Sequence, residues 1–372
     1  MLNLLEELKD ILEKNGLIRE KDSLKESYEK AVKIPEVLKI LDLELPPITD
    51  LSETLGLKPI SVMAIRMDLN KRVDNHKKFV VAGLILRGVL MGLIPNKKRD
   101  TLIDGGNFNS ASALKFYAKH FGMKGMYIMS YLFPDHIINL FEGDYFTVIK
   151  VPHQQKYDKM REREVYEFLY NKMREPEFKK NKFCLWHAKH GGGVEYPFGK
   201  GLAKKIPASI NCSVSCLGAG STLEGIQIPI QDFFKEDSKS PPKIFLAEHE
   251  LSPLFVKIME KMEISHDVIP SIINKDKEFY ISAPELPHLV IGPHYDEINP
   301  LLSKKSIERI EGVVQYSEED WQSTQAHLEK YGISVGNSSA ANISVAWRLA
   351  SQGFKVITII FEPFRKFLTK SP

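Results

Sequence analysis

A glycine-rich turn follows an apolar stretch in the second half of the sequence. The stretch "INCSVSCLGAGSTLEG" begins with small and β-branched residues, which favour a buried strand. Glycines between a strand and a helix let backbone N–H groups approach an anion, and the helix N-terminus adds partial positive charge. The segment Gly218, Ala219, Gly220, Ser221 and Thr222 is thus a candidate phosphate cup. It lacks the spacing of a dinucleotide-binding or Walker loop, so by itself it is better explained as a tight turn without ligand.

A second group of polar residues lies in "DGGNFNSASALKFYAKHFG". Asn107, Asn109 and Ser110 follow a glycine pair and precede or begin a helix, so their polar groups gather at a helix N-terminus. Taken alone, Asn109 or Ser110 is an N-cap residue, and Asn107 could play either part. The inward face of this helix is expected to contain Leu114, Tyr117 and Phe121.

The third candidate is Lys77, in "RMDLNKRVDNHKKFVVAGLIL". It lies where a polar segment meets an apolar helix that begins near Phe79. Burial of its amine would lower the pKa and make the lysine a nucleophile. Lys71 and Lys78 compete with it on position alone.

Composition limits the function classes. The chain has 372 residues, 43% hydrophobic and 27% charged, and a formal net charge of +3. This charge gives no reason to expect nucleic acid or an anionic membrane as a partner. The three cysteines are too few for a disulfide framework and fit a reducing cytoplasm. A signal peptide is not expected, because the first residues include Glu6, Glu7 and Asp10 and lack a basic start. A membrane span is not expected either, because the most apolar run, Phe79 to Ile94, is only about 16 residues long and is interrupted by Arg87. We predict a buried helix there.

Short apolar runs alternate with helical patterns after Pro46-Pro47, which predicts an α/β protein with largely parallel, buried strands. We predict strands in "MKGMYIMS", "YFTVIKVP", "SINCSVSCLG", "PKIFLAEH" and "FKVITIIF". Ser317 and Asp320 form a capping box before one helix, and a second helix begins at the serine pair of "SSAANISVAWRLASQG". Residues 175–205 show no clear period and are interpreted as a loop. Residues 1–45 predict short amphipathic helices, with Leu5, Leu8 and Leu12 on one face.

The three candidates occur in an order that resembles the pyridoxal-phosphate enzymes of the tryptophan synthase β and cysteine synthase type, known as fold type II. "IRMDLNKRVDNHKKF" resembles the segment leading to the Schiff-base lysine and places Lys77 there. "NFNSASALKFYAKHFG" resembles the loop whose asparagine, here Asn109, lies beside the cofactor ring oxygen. "SCLGAGSTLEG" is similar to the cofactor phosphate cup, and "YGISVGNSSAANISVAWRLASQGFKVITIIFEPFRKFLT" is similar to the closing helix, strand and ring-nitrogen segment. The resemblance covers about 325 residues, from Pro46 onward.

The resemblance implies two three-layer α/β domains with mostly parallel sheets, in addition to the helical extension over residues 1–45. Residues 46–175 would hold the Schiff-base lysine and the asparagine loop, and residues 176–372 the phosphate cup and the ring-nitrogen segment. It also implies pyridoxal 5′-phosphate as cofactor, with Lys77 first holding it as an imine and then acting as the base at the substrate α-carbon. A homodimer and a small amino-acid substrate are further implications; no metal ligands are assigned.

Several residues depart from the family pattern. The loop that receives the substrate carboxylate is usually rich in hydroxyl groups, but here it contains Asn107, Phe108 and Ser110, with Asp104 nearby. A carboxylate at Asp104 would repel an acidic substrate unless it points away.

At the ring nitrogen, where the family commonly has Ser or Thr, this sequence has Glu362. A carboxylate there would favour a protonated pyridinium, whereas in the alternative interpretation Glu362 caps the strand end and faces solvent. "IGPHYDEINP" would bring His294 and Tyr295 to the substrate side, or these residues line an interdomain surface.

We therefore expect a lyase or synthase that performs β-elimination or β-replacement on a serine- or cysteine-like amino acid. A deaminase, racemase or D-amino-acid desulfhydrase on the same fold is the first alternative, favoured by Glu362, His294 and Tyr295. The second is a catalytically silent relative that binds a partner, motivated by the altered loop at residues 107–110.

Overall fold

The structure is a computed structural model and describes residues 4–18, 24–96, 98–152, 161–218, 220–253, 255 and 304–365. The predicted site residues Ala219, His294 and Tyr295 lie outside the described residues. None of the helices in the described ranges has the length and apolarity needed to cross a membrane.

Helices and strands alternate over most of the described chain. In chain order the helices are α1 (Leu4–Lys14), α2 (Leu24–Ala31), α3 (Pro35–Ile40), α4 (Lys77–Leu90), α5 (Phe108–His120), α6 (Asp135–Asn139), α7 (Arg161–Lys172), α8 (Pro176–Lys179), α9 (His187–Ala203), α10 (Ile228–Glu236), α11 (Lys304–Ile307), α12 (Glu318–Glu329) and α13 (Asn337–Ser351). The strands are β1 (Ile48–Asp50), β2 (Val62–Arg66), β3 (Thr101–Gly106), β4 (Lys124–Met129), β5 (Phe146–Lys150), β6 (Lys182–Cys184), β7 (Cys212–Cys216), β8 (Lys243–His249), β9 (Ile310–Tyr316) and β10 (Val356–Ile360). A 3₁₀ turn covers Met67–Leu69 and a π-helical turn covers Leu223–Gln227.

The chain forms two compact units. The first contains residues 1–44, 71–197 and 366–372, and the second contains residues 45–70 and 198–365. These limits differ from the predicted domains: residues 46–70 join the second unit because β2 pairs in parallel with β10, and the first unit extends past residue 175 to Pro197. The N-terminal helices belong to the first unit, where α1 and α2 contact α4.

The sheet of the first unit has the order β5-β4-β3-β6, and all its strand pairs are parallel. Every residue of β3 is buried, which shows that both faces of this strand are covered. Helices α5 and α7 both contact β3 and β4. Ile103 and Ile128 form a core with Val165 and Leu169 of α7.

The sheet of the second unit has the order β1-β2-β10-β7-β8-β9. Only β1 and β2 pair in antiparallel fashion among the described strands of this sheet. All residues of β7 and β10 are buried, and α13 packs on both strands. The two central strands therefore end in the interior of the unit, where polar groups need partners.

The predicted α/β class with mostly parallel sheets is confirmed, and the five predicted strands match β4, β5, β7, β8 and β10. The apolar run from Phe79 is a buried helix, α4, as predicted. The capping box of Ser317 and Asp320 is formed at the start of α12. The predicted apolar face of α1 is buried, so its residues Leu5, Leu8 and Leu12 are not available to a partner subunit.

The prediction of a loop over residues 175–205 is wrong, because α8, β6 and α9 lie there. Helix α9 contains Pro197 and several glycines, which disfavour a helix locally. Its buried residues Val194, Phe198 and Leu202 recur at intervals of four and form one apolar face. Tertiary packing of that face outweighs the weak local propensity, and the division between the two units falls within this helix.

Candidate functional site

Lys77 is the first residue of α4 and is only 6% exposed. The side-chain oxygen of Asn75, itself buried, accepts a hydrogen bond from the backbone N–H of Lys77 at 2.9 Å. This contact fixes the start of the helix, where N–H groups lack intrahelical acceptors. The structure thus buries the lysine that the sequence singled out.

The competing lysines are held in other contacts. Lys78 is buried, but its ammonium lies 2.9 Å from a carboxylate oxygen of Asp42 and donates to the carbonyl of Lys71. The Lys71 ammonium is exposed and pairs with Glu44. The burial of Lys77 therefore favours it over Lys71, and the ion pair of Lys78 gives that residue a structural role.

His76 precedes Lys77 and lies in an environment of positive charge. Burial lowers the pKa of His76 well below its usual range, and the nearby charges of Lys77 and His187 lower this pKa further. A second positive charge beside Lys77 is thereby disfavoured, and His76 is neutral around neutral pH.

The asparagine loop lies at the end of β3. Asn107 is the N-cap of α5, because its side-chain oxygen accepts from the backbone N–H of Ser110 at 3.4 Å and from the Ser110 hydroxyl at 3.1 Å. Of the residues considered for the cap, Asn107 therefore fills it. Asn109 lies in the first turn of α5 and is half-buried. The predicted inward face of α5 is confirmed, since Leu114, Tyr117 and Phe121 are buried.

Phe108 is the first residue of α5. Its ring is tilted against that of Phe141, with the centroids 4.9 Å apart. The aromatic ring is thus supported by a neighbour within the first unit, which restricts the positions open to it.

Asp104 is the fourth residue of β3 and is bonded to a histidine. Its buried carboxylate lies 3.1 Å from Nδ1 of His187 and accepts from the backbone N–H of His187 at 3.2 Å and of Gly105 at 2.9 Å. On the other side of the ring, Nε2 of His187 lies 3.2 Å from the hydroxyl of Tyr166. Asp104, His187 and Tyr166 therefore form a hydrogen-bonded chain.

The sequence analysis did not predict this hydrogen-bonded chain of side chains. Asp104 was noted only as a possible source of repulsion, and the structure instead directs its carboxylate to His187. His187 and Tyr166 lie 83 and 62 residues beyond Asp104 in the chain, and neither belongs to a recognisable motif. Only the parallel pairing of β3 with β6 brings the end of β6 beside Asp104.

The glycine turn of the second unit follows β7, as predicted. Gly218 leaves the strand, Gly220 has a φ of +86°, and the helical segment begins at Ser221. A side chain at Gly220 would be strained at this φ. Ser221 and Thr222 are buried at the start of the helix, an arrangement that can bind a phosphate through N–H and hydroxyl groups.

Glu362 follows β10 and is only 8% exposed, so the interpretation that it faces solvent is wrong. Its carboxylate accepts from the hydroxyls of Ser338 at 3.1 Å and Ser339 at 3.4 Å. A side chain on Gly336 would collide with this carboxylate, because the two approach closely. Glu362 is therefore held in one position by the start of α13.

Glu362 and the glycine turn lie near each other in the second unit. They follow β10 and β7, which are neighbours in the sheet. Burial raises the pKa of the Cys216 thiol to about 12, a hydrogen bond to Tyr316 opposes this, and the Glu362 charge adds to the rise. Cys216 is the last residue of β7, directly before the turn. Both it and Cys212 are buried and free, as expected for core residues rather than a redox pair.

In the ranges that the structure covers, no cluster of His, Cys, Asp or Glu is arranged to hold a metal ion. The predicted residues thus fall into two groups. Lys77, Asn107, Phe108, Asn109 and Ser110 lie in the first unit, and Gly218, Gly220, Ser221, Thr222 and Glu362 lie in the second.

No protein-family model and no curated protein matches the sequence. The structure is similar to that of O-ureido-L-serine synthase, with a TM-score of 0.64 and 15% identity over 89% of this chain and 93% of that chain. It is also similar to the O-acetylserine-dependent cystathionine β-synthase of Helicobacter pylori, with a TM-score of 0.65 and 19% identity over 89% of this chain and 97% of that chain. The chain has the fold type II architecture.

A third fold type II structure, a hydrogen sulfide-producing enzyme of Fusobacterium nucleatum, gives a TM-score of 0.65 and 16% identity over 88% of this chain and 97% of that chain. At these identities the likeness concerns the fold. It confirms the fold that the sequence resemblance implied, whereas the roles of individual residues depend on the geometry described above.

Proposed function

We propose that the protein is a pyridoxal-phosphate-dependent enzyme that performs β-elimination or β-replacement on a small serine- or cysteine-like amino acid. The observation that carries the proposal is the burial of Lys77 at the start of α4 in a chain with the fold type II architecture. Burial of a lysine disfavours its charged form and makes its amine a nucleophile, which the cofactor requires.

The described residues fit this cofactor. Gly220 and the buried Ser221 and Thr222 offer N–H and hydroxyl groups to a phosphate at a helix start. The Glu362 carboxylate is buried and fixed, as an acceptor for a ring N–H would need to be. We assign the phosphate to the glycine turn, the ring nitrogen to Glu362 and the ring oxygen to Asn109. When bound, pyridoxal phosphate supplies an electron sink for the electron pair left at the substrate α-carbon.

Lys77 also acts as the base in this proposal. Its Nζ atom takes the proton from the substrate α-carbon. The neighbouring His76 is neutral and therefore adds no second positive charge beside the lysine. Asn107 and Ser110 contribute the remaining polar groups of the substrate carboxylate loop. Because Asp104 is bonded to His187, its carboxylate is directed away from an incoming substrate anion.

The cofactor assignment is tested by spectroscopy and chemistry. The purified protein is expected to be yellow, and borohydride reduction should fix the cofactor mass on the peptide that contains Lys77. Lys71→Ala is the control, because the Lys71 side chain is exposed and pairs with Glu44 at the surface. A colourless protein that does not bind added pyridoxal phosphate would overturn the proposal and would favour the alternative of a catalytically silent relative that binds a partner.

A second candidate function on the same fold is a deaminase, racemase or D-amino-acid desulfhydrase. The burial of Glu362 favours it, since a carboxylate at the ring nitrogen stabilises a pyridinium, a stronger electron sink than a neutral ring. His294 and Tyr295 remain proposals for a second acid or base.

A panel of L- and D-amino acids separates the two functions. Release of sulfide or ketoacid from L-cysteine or O-substituted L-serines supports the first, whereas turnover of D-amino acids supports the second. If Glu362→Ser leaves the visible spectrum of the holoenzyme unchanged, Glu362 does not contact the ring nitrogen.

We also propose a homodimer in the cytoplasm. The three free cysteines support a reducing compartment. Sedimentation of the holoenzyme at two protein concentrations tests the dimer, and a monomer at both would exclude it.

A further inference from the structure

A cavity lies in the first unit, along α4 and the strand β6. Its volume is about 270 Å³. The residues that line it come from the last turns of α4, the segment before β3, α8, β6 and the start of α9. β6 is an edge strand of its sheet, and the cavity lies on the side of the sheet where no further described strand pairs with β6.

The charged residues that line this cavity are all basic. No aspartate or glutamate is among the described lining residues, which include the cations Arg87, Arg99, Lys179 and Lys182 and the imidazole of His190. Like charges gathered at a partly buried surface repel one another and lower stability, unless an anion neutralises them. The composition of the wall therefore points to an anionic ligand.

Arg87 gives the strongest indication that the ligand of this cavity is an anion. It lies in the last turn of α4 and is half-buried, and within the described part of the chain its guanidinium has neither a hydrogen bond nor an ion pair. Burial lowers the pKa of Arg87 from its usual value, and no acidic group in the described ranges opposes this effect. Arginine presents several N–H donors in a planar arrangement that matches phosphate and carboxylate oxygens.

Lys182 contributes a second cation. Its ammonium donates to the carbonyl of Phe178 at 2.7 Å and to the side chain of Asn181 at 3.1 Å, which fixes it in place. Burial lowers its pKa, and the charge of Asp100 raises it. Asp100 is not among the residues that line the cavity, and its carboxylate accepts hydrogen bonds from Thr101 and Asn181.

The rest of the wall is apolar and partly aromatic. Trp186 and Phe183 line it together with Met91 and Met173. Trp186 has a φ of +54°, which is unusual for a bulky residue and requires support from its surroundings. This conformation places Trp186 at the cavity and its neighbour His187 at Asp104. A ligand that combines an anionic group with a planar or apolar group would match both parts of the wall.

We propose that this cavity binds a small organic phosphate, with Arg87 and Lys182 on the phosphate group and Trp186 and Phe183 against its apolar part. The site is separate from the glycine turn, which belongs to the second unit. It is also separate from Lys77, because ten residues of helix place Arg87 about 15 Å further along α4.

The test is a calorimetric titration with phenyl phosphate and with inorganic phosphate. It uses the purified full-length chain, saturated with pyridoxal phosphate and then freed of excess cofactor. Phenyl phosphate should bind more tightly than inorganic phosphate because it also contacts the apolar wall. Arg87→Gln should weaken phenyl phosphate binding by at least about tenfold, because the loss of one hydrogen bond between charged groups changes affinity by about that factor. Lys182→Gln should weaken it by less.

Lys124→Gln is a matched control. Lys124 begins β4 and Lys182 begins β6, and both are opposite Thr101 of β3, but only Lys182 lines the cavity. The control should bind phenyl phosphate like the original protein. Equal affinity of the original protein and Arg87→Gln, or no binding at all, would overturn the proposal. Both proteins carry the same glycine turn, so their difference reports on the cavity even if the proposed cofactor does not bind.

Arg87→Gln is expected to fold, because it removes a partly buried charge that has no ion-pair partner among the described residues. Its melting temperature without ligand should equal or exceed that of the original protein. Should it fail to fold, the double variant Arg99→Gln/Lys179→Gln replaces it, since no ion pair within the described residues holds either side chain. That variant should also weaken phenyl phosphate binding, and an unchanged affinity would count against the site.

Discussion

The two units carry different kinds of polar groups near the carboxyl ends of their parallel strands. In the first unit, Asp104 of β3 begins a hydrogen-bonded chain through His187 to Tyr166, and Lys77 lies buried at the start of α4. In the second unit, β7 leads to a glycine turn, and β10 leads to Glu362, which serine hydroxyls hold in place. The first group consists of side chains that can gain or lose a proton. The second consists of backbone N–H groups and a fixed carboxylate.

Parallel sheets collect polar groups at the carboxyl ends of their strands, but the type of group decides what each end can do. The difference here suggests a division of labour in the proposed enzyme. Substitutions in the first unit should mainly change rates and their pH dependence, and substitutions in the second should mainly change cofactor affinity.

Replacement of Lys77 by alanine tests this division most severely. If Lys77 is the base, kcat/KM for the amino acid identified in the panel should fall by about 10² to 10⁴-fold or more. Lys71→Ala should leave the rate unchanged, because its side chain is exposed. Steady-state kinetics measure the kcat/KM of both variants. A Lys77→Ala enzyme with kcat/KM within about threefold of the original value would show that Lys77 is not the base.

Asp104→Asn breaks the hydrogen-bonded chain with little change in volume. A buried group that loses its charged partner costs about 1–3 kcal/mol, so urea denaturation should show a loss of that size. The value of kcat should also fall, because the Asp104 carboxylate no longer holds the imidazole of His187 in place. Asp135→Asn, at an exposed ion pair with Lys150, is the control and should alter neither. A stability loss with an unchanged kcat would leave Asp104 a structural role only.

Gly220→Ala addresses the second unit. Alanine at a φ of +86° is expected to cost about 1–2 kcal/mol of stability and to weaken cofactor binding, because the turn must shift. Gly353→Ala is a matched control, since Gly353 has a φ of +94° in the same unit and open space around it. Similar stability losses are expected, with weaker pyridoxal-phosphate binding only for Gly220→Ala. Equal effects on binding would mean that the turn does not hold the phosphate.

The pH dependence of stability separates two histidines, one in each unit. Burial lowers the pKa of His76 below 6.5, so the unfolded chain binds a proton that the folded chain does not. Stability should then fall as the pH drops below about 6.5, by at most about 1.4 kcal/mol per pH unit. Burial also lowers the pKa of His249, but Glu318, 3.5 Å from its Nε2 atom, opposes the effect.

His76→Gln should therefore reduce the acid sensitivity of the free energy of unfolding more than His249→Gln does. Urea denaturation between pH 5 and about pH 7 measures the two slopes. If His249→Gln had the larger effect, the positive surroundings of His76 would not govern its protonation.

The elements that position the candidate residues were easier to predict from the sequence in the second unit than in the first. The glycine turn is contiguous in the chain, and the order of its residues reports a strand, a turn and a helix. Glu362 was singled out only through the resemblance, and the sequence could not decide whether it faced solvent. Lys77 was found only through the resemblance, since nothing local distinguishes it from Lys71 and Lys78.

The sequence by itself determined the α/β class, five of the ten described strands and the glycine turn, because these depend on local propensity and hydrophobic pattern. The tertiary structure alone decided which lysine is buried, that α9 is a helix, and that Asp104, His187 and Tyr166 meet. It also decided that Arg87 lies in a basic cavity. These outcomes depend on strand pairing and on packing between residues far apart in the chain, and local sequence carries no signal for either.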